Sequence, residues 1–226
     1  MEHAHTMTSR PTPLEAPVAG ASSGLVTTCG TIGGWPRVFV ALAGSALALL
    51  YLLPLWHIGL RAPQYPEGLG MYIWVNQITG QGPHDLQNIN GLNHYIGMKA
   101  IVPESIPELR FMPLLVAGLI ATGLVVALWG RRRALYAWVA VFALGAVAGL
   151  ADFWRWGYDY GHNLNPHAAI HIPGMSYQPP LIGAKQLLNF QATSWPALGG
   201  WIAVAALGLA MVVVIREWRL ARSSGR

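Results

Sequence analysis

The sequence predicts an all-α membrane protein with four transmembrane helices and two long structured periplasmic loops. Two observations carry that prediction. Of its 226 residues, 54% are hydrophobic and only 10% charged, against about 25% charged in ordinary soluble domains. The apolar residues also gather into four runs, at 38–56, 111–129, 134–153 and 196–215. A helix of roughly 19 or 20 residues rises about 29 Å, close to the thickness of the hydrocarbon core. In lipid a helix is the one open segment that satisfies its own backbone polar groups.

Residues 1–34, rich in Thr, Ser, Gly, Pro and Ala, read as a disordered cytoplasmic tail. Residues 35–216 form the membrane domain, and 217–226 a basic cytoplasmic tail. His3 and His5 are expected to be solvated. The single Cys29 excludes an internal disulfide framework and a CxxC motif. No apolar stretch of signal-peptide length precedes it, so it is not expected to be a lipoprotein acceptor.

In the first span, Pro54 is expected to kink or end the helix. The small residues Ala43, Gly44, Ser45 and Ala46, and later Gly145, Ala146, Ala148 and Gly149, are expected to let helices approach closely. Orientation follows from the basic residues. Arg131, Arg132 and Arg133 between the second and third spans place that turn in the cytoplasm, as do Arg216, Arg219, Arg222 and Arg226 after the fourth. Arg10 and Arg37 agree for the N-terminus. The connections 57–110 and 154–195 hold only Arg61, Lys99, Arg110, Arg155 and Lys185, and so face the periplasm. The implied location is the bacterial inner membrane, multi-pass, with both termini cytoplasmic. The net charge of +5 then reflects topology, and nucleic acid is excluded as a partner. Trp56, Trp129, Trp154, Trp156 and Trp195 fall near span ends, where most are expected to anchor at the lipid interface.

The outer connections carry too much apolar surface for linkers. Residues 72–79 read either as a β-like or as an amphipathic segment. Residues 103–107 read as a turn and Pro179-Pro180 as extended chain. Each half of the chain is span, long loop, span, a thin parallel symmetry.

Chemistry concentrates in 152–175. Asp152, Arg155, Trp156 and Asp159 share one face if the third helix continues, which would let Arg155 pair with both carboxylates. Gly157 and Gly161 weigh against continuation, at about 1 kcal/mol each relative to Ala. The strip reads first as scaffold. His162, His167, His171 and Met175 follow, and the first loop adds His94 and Met98 four residues apart. Imidazole with thioether and no thiolate favours copper over zinc. The plainer alternative is loop histidines bonded to backbone, with Met packed on Trp. His57 and His84 lack ligand-spaced partners. Sequence motifs for a nucleophile elbow, a Walker loop, a zincin or covalent haem attachment are absent. No span carries a histidine for haem b, or a central charge for a transport path.

The strings Pro63-Gln-Tyr-Pro-Glu-Gly-Leu69, Ile89-Asn-Gly-Leu-Asn-His-Tyr-Ile-Gly-Met-Lys99, Trp156-Gly-Tyr-Asp-Tyr-Gly-His-Asn-Leu-Asn-Pro166 and Ser176-Tyr-Gln-Pro-Pro-Leu-Ile-Gly183 resemble a family of small bacterial four-span membrane proteins. That family is associated with nitrous oxide reductase accessory clusters and the NosL-type copper chaperone. The resemblance covers about residues 36–215. It implies a role in periplasmic copper handling or copper-enzyme maturation, and His94, Met98, Asp152, Asp159 and His162 match its motif positions.

The resulting expectation is a non-enzymatic accessory protein that binds copper through His94, Met98 and His162, with His171 and Met175 as additions. Asp152, Arg155 and Asp159 would lie behind these ligands and hold the loop. Its partner would be a periplasmic copper chaperone or copper enzyme. The alternative is a metal-free docking subunit of a respiratory membrane complex. A membrane enzyme using Asp159 and His162 has no motif behind it.

Overall fold

In a computed structural model, which describes residues 30–223, the chain forms four long helices capped at one end by a small domain. The first helix, α1 (Gly34–Ala46), tightens into a 3₁₀ segment (Leu47–Tyr51) that stops before Pro54. Pro54 therefore lies beyond the helix, since the residue before a proline is driven out of helical geometry. Then follow β1 (Trp56–Ala62), β2 (Tyr65–Ile73), β3 (Ile78–Gly80) and the helix α2 (Asp85–Ile96). The remaining elements are α3 (Glu108–Trp129), α4 (Arg132–His162), β4 (Gly183–Leu187), β5 (Phe190–Pro196) and α5 (Leu198–Ser223).

Four helical segments are long and apolar enough to cross a membrane, as expected: Gly34–Tyr51, Glu108–Trp129, Arg132–His162 and Leu198–Ser223. Within the bundle α1 packs on α3 and α5, and α4 on the same two. Val40, Ala43, Leu47, Leu135, Trp138, Ala210 and Val213 fill its centre, while Leu114, Leu128, Leu144 and Val212 point outward as a lipid-compatible surface. Of the two small-residue sets, only the first packs within the chain. A Cβ on Gly44 would sit 3.6 Å from the Gly123 backbone, whereas one on Gly145 or Gly149 would meet nothing within 4 Å.

The all-α expectation is overturned at the capping domain. Its five strands form one antiparallel sheet in the order β3-β2-β1-β5-β4. The central strand β1 pairs with β2 from its own loop and with β5 from the other, His57 lying opposite both Tyr72 and Trp195. The segment 72–79 resolves into the β2–β3 hairpin, closed by Trp74 N–H to Gln77 C=O at 2.8 Å. The hairpin tip drives Val75, fully buried, into the end of the helix bundle. Asp85 Oδ2 accepts the backbone N–H groups of Gly70 and Gly82, both at 3.0 Å, and so ties α2 to this hairpin. The two loops do not repeat each other. The first gives three strands and a helix, and the second gives a helix extension, an irregular segment and two strands.

The tryptophans divide. Trp129, Trp154 and Trp195 are exposed at span ends, as anchors would be. Trp56 instead donates to Ser194 Oγ at 2.7 Å and packs on Phe153, while Trp156 packs on Tyr160.

At the opposite, basic end, residues 30–32 pair with the α3–α4 turn through Ile32 N–H to Gly130 C=O at 2.7 Å and Arg132 N–H to Gly30 C=O at 3.0 Å. Most of the expected tail, including Cys29, His3 and His5, lies outside the described residues. Arg132 and Arg216 are more than surface charges. They converge on the buried Glu217 carboxylate at 2.9 and 2.6 Å, locking the start of α4 to the end of α5. Leaving a buried charge unpaired costs about 3–5 kcal/mol; Arg132 and Arg216 reach water in part, so loss of Glu217 is expected at or below the lower end of that range. Glu217→Ala is therefore expected to lower the unfolding midpoint of the detergent-solubilised protein sharply. Arg222→Ala, which removes an exposed cation stacked on Trp218, should lower it little. Equal midpoints for the two variants would refute the clamp.

Candidate functional site

The α4 helix runs 31 residues, about 46 Å at its rise per residue, so its last turns project beyond any hydrocarbon core. The two glycines expected to interrupt it instead admit a neighbouring strand of chain. Tyr177 N–H donates to Gly161 C=O at 2.9 Å, and a Cβ on Gly161 would lie 2.4 Å from Gln178 N and Cα. At Gly157 the nearest atom would be Pro179 Cγ, a relaxed 4.0 Å away. Gly161 is thus required for close backbone approach, not for bending the helix.

Facing this extension, α2 ends at Gly97 in the left-handed conformation (φ 82°). Met98 N–H returns to Asn93 C=O at 2.8 Å, the hydrogen-bond pattern of a glycine-terminated helix. The irregular segment after α4 is fastened to that turn. Asn165 N–H donates to Gly97 C=O at 2.8 Å and Ile170 N–H to Tyr95 C=O at 2.9 Å. Lys99 Nζ reaches Asp159 at 2.6 Å. Asn90 holds the following chain by bonding both the N–H and the C=O of Ile101, at 2.7 and 3.0 Å. The turn bearing His94 and Met98 and the segment 162–175 therefore lie side by side.

The individual candidates take different environments. His94 is exposed in the last turn of α2, Met98 is half-buried, and His171 and Met175 are exposed on the irregular segment. His162 is the last residue of α4, exposed, with its ring stacked on Tyr158 at 3.9 Å and 17°. Its Nδ1 lies 3.1 Å from Tyr158 C=O. A carbonyl only accepts, so Nδ1 carries the proton and Nε2 presents the lone pair in the neutral ring. Among the described residues His167 is engaged through its backbone, donating N–H to Asn165 Oδ1 at 3.0 Å.

The Asp152–Arg155–Asp159 strip is helical, but Arg155 is exposed and forms a salt bridge with neither carboxylate among the described residues. Asp159 is held by Lys99 of the other loop and by Asn163. The scaffold pairing thus runs between loops, not along one helix. His57 has a structural place in the sheet, against Tyr72 and 3.0 Å from Gln81 Oε1. Among the described residues no three His, Cys, Asp or Glu side chains group as a metal site.

Between the sheet, α2 and the end of α4 lies a cavity of about 450 Å³, within the ~300–1,000 Å³ typical of small-molecule sites. Strand alternation turns Ile58, Leu60 and Ala62 of β1 toward it. Ile89, Trp156 and Tyr177 line it as well, and Met98 is the one candidate ligand on its wall. Tyr177 is 2% exposed and its hydroxyl has no hydrogen-bond partner among the described residues. Sequence reading passed over Tyr177 because it sits in an irregular, proline-flanked stretch without periodicity. The resemblance to a loop string was the one signal that touched it.

No protein-family model matches the chain, and no curated protein matches it.

The two glycines of α4 give a paired test. Gly157→Ala is expected to be neutral, or stabilising by up to about 1 kcal/mol from helix propensity. Gly161→Ala must push Gln178 away and should lower the thermal midpoint by several degrees, roughly 4–8 °C per kcal/mol lost in a small domain and less in a larger one. Tolerance of both substitutions would show that segment 176–180 does not rest on the helix.

Proposed function

We propose that this chain is a non-enzymatic membrane accessory protein that receives and passes copper at the periplasmic face of the bacterial inner membrane. The capping domain would face the periplasm and the Arg-rich end the cytoplasm. The observation that carries the reading is His162. Its Nδ1–H is committed to the Tyr158 carbonyl and its ring is stacked on Tyr158, so Nε2 is preset as a donor in the way backbone carbonyls orient metal-binding imidazoles. The backbone bonds at Tyr95 and Gly97 support bringing His94 and Met98 beside the same segment.

Imidazole and thioether suit Cu(I). Exposure of His94, His162, His171 and Met175 suits cargo that must be released, and thioethers would supply donors where no three His, Cys, Asp or Glu side chains group among the described residues. Copper is here a substrate, bound in transit. Asp159, clamped by Lys99, would keep the two loops in register. The copper donor or acceptor would be a periplasmic chaperone or a copper enzyme of the nitrous oxide reductase type, in line with the resemblance of the loop strings.

A docking reading without metal has its own support in the exposed Tyr95, Ile170 and Ile172 around the same turn. These would suit a contact with a respiratory membrane complex.

The two readings separate on purified full-length protein loaded anaerobically with Cu(I) against a chromogenic chelator. Wild type is expected to retain copper, and the His94→Ala/His162→Ala double variant to hold it at least about tenfold more weakly, the scale on which disturbed metal sites lose affinity. Equal copper in both samples overturns the ligand assignment. A stoichiometric oxidoreductase co-purifying with copper-free protein would favour docking.

A further inference from the structure

We propose that the cavity under the sheet is a binding site for a neutral lipid, an apolar body carrying a carbonyl or hydroxyl oxygen that accepts from Tyr177. The inference stands apart from the copper reading, because it rests on buried surface and not on the exposed donors. Three features of the cavity define the ligand.

Its walls come from β1, α2, the end of α4 and β5, and among the residues lining it none is Asp, Glu, Lys, Arg or His. A charged headgroup or fatty carboxylate would lose its hydration there without gaining a counter-charge, which is strongly unfavourable. The occupant is therefore neutral.

The lining is chiefly aliphatic and aromatic, including Ile58, Leu60, Met71, Ile89 and Trp156. Such a surface favours hydrocarbon over a sugar or nucleotide.

The buried Tyr177 hydroxyl has no partner among the described residues. A donor in that state carries an unmet desolvation cost; the hydroxyl is covered in this structure, and a turn of the phenol toward the cavity that Tyr177 lines would let a ligand oxygen meet it. The bond from Tyr177 N–H to Gly161 C=O holds the backbone of this residue against α4. Entry from the bilayer suits the position of Trp156 and Tyr160, on the turns of α4 just past the predicted span.

An isoprenoid quinone and a diacylglycerol both have this chemistry, and the test separates them. Full-length protein in phosphatidylcholine nanodiscs, stripped of metal by chelator, is titrated with decylubiquinone, with 1,2-dioctanoylglycerol and with palmitate, followed by thermal midpoint and by Trp fluorescence. Saturable binding of either neutral probe is expected, and the probe that binds assigns the source. Palmitate at neutral pH should bind at least about tenfold more weakly.

Tyr177→Phe should weaken the neutral probe about tenfold, the worth of one good hydrogen bond, while its ligand-free midpoint holds or rises. Ala192→Phe, which places a ring in the cavity from β5, should abolish binding. If that variant does not fold, Tyr177→Phe decides. No saturable binding of either neutral probe, equal affinity for palmitate, or unchanged affinity in Tyr177→Phe would each overturn the proposal. Because copper is absent throughout, failure of the metal reading leaves these outcomes untouched.

Discussion

The pairing of β1 with β5 is the constraint from which the rest of the molecule follows. It joins chain segments more than a hundred residues apart, with His57 opposite Trp195 and Trp56 opposite Pro196. β1 follows the 3₁₀ end of the first span by a short turn and β5 leads into α5, so pairing them brings the ends of two spanning helices together. The seam continues past the sheet. Ala197 N–H donates to Leu55 C=O at 3.0 Å and Gly199 N–H to Pro54 C=O at 2.9 Å, so donors that a helix start leaves unpaired find acceptors in the preceding turn. Gly199 and Gly200 are required there, since a Cβ on either would lie within 2.7 Å of a carbonyl oxygen of residues 53–55. Closing so long a loop carries an entropic cost. The strand bonds and the buried Ser194, which accepts from Trp56 and donates to Leu181, offset it.

Once β1 and β5 are joined, the cavity and the candidate ligands have fixed walls. The alternation of β1 turns Ile58, Leu60 and Ala62 to one side, and α2 covers them through the Asp85 bonds to Gly70 and Gly82. The α4 extension then closes the space, with segment 176–180 laid along Gly157 and Gly161. At the far end, Glu217 holds Arg132 and Arg216 and keeps α4 and α5 from splaying. The molecule is thus pinned at both ends by polar contacts, with apolar packing between them.

The helices were legible in the sequence because lipid leaves the backbone few alternatives, and runs of 19 or so apolar residues signal this directly. The sheet was not. The pattern Trp56-His-Ile-Gly-Leu-Arg-Ala62 does alternate, but Pro63, Pro66, Gly68 and Gly70 read as turn residues and mask a strand only nine residues long. Gly70 belongs there because a side chain would strike Gln81 and His57, a reason visible only in three dimensions. The same holds for Gly161, whose cost in helix propensity is set against contact with Gln178. Arg132 and Arg216 were legible as positive charges, yet Glu217, flanked by Arg216, Trp218 and Arg219, gives no local sign that it is buried. Of the candidate site, the histidines and methionines were readable from spacing, while the bonds that set the two loops side by side, Asn165 N–H to Gly97 C=O and Ile170 N–H to Tyr95 C=O, were not. The Lys99–Asp159 contact that helps hold the loops together pairs residues sixty positions apart.

The turn at residues 93–98 is where the two proposed activities meet. His94 is exposed in the last turn of the helix, Asn93 is buried and donates to Lys99 C=O at 3.3 Å, and Met98 lies on the cavity wall. Gly97 holds these three in fixed relation, because its left-handed backbone and its close contact with Asn165 leave no room for a side chain. A group entering the cavity would press on Met98 from inside, while a metal at the surface would draw on the same thioether from outside. Two ligands competing for one side chain disfavour each other, and thermodynamic linkage makes the effect equal in both directions. Were both proposed sites filled in turn through Met98, lipid in the cavity would weaken copper, and copper at the surface would weaken lipid.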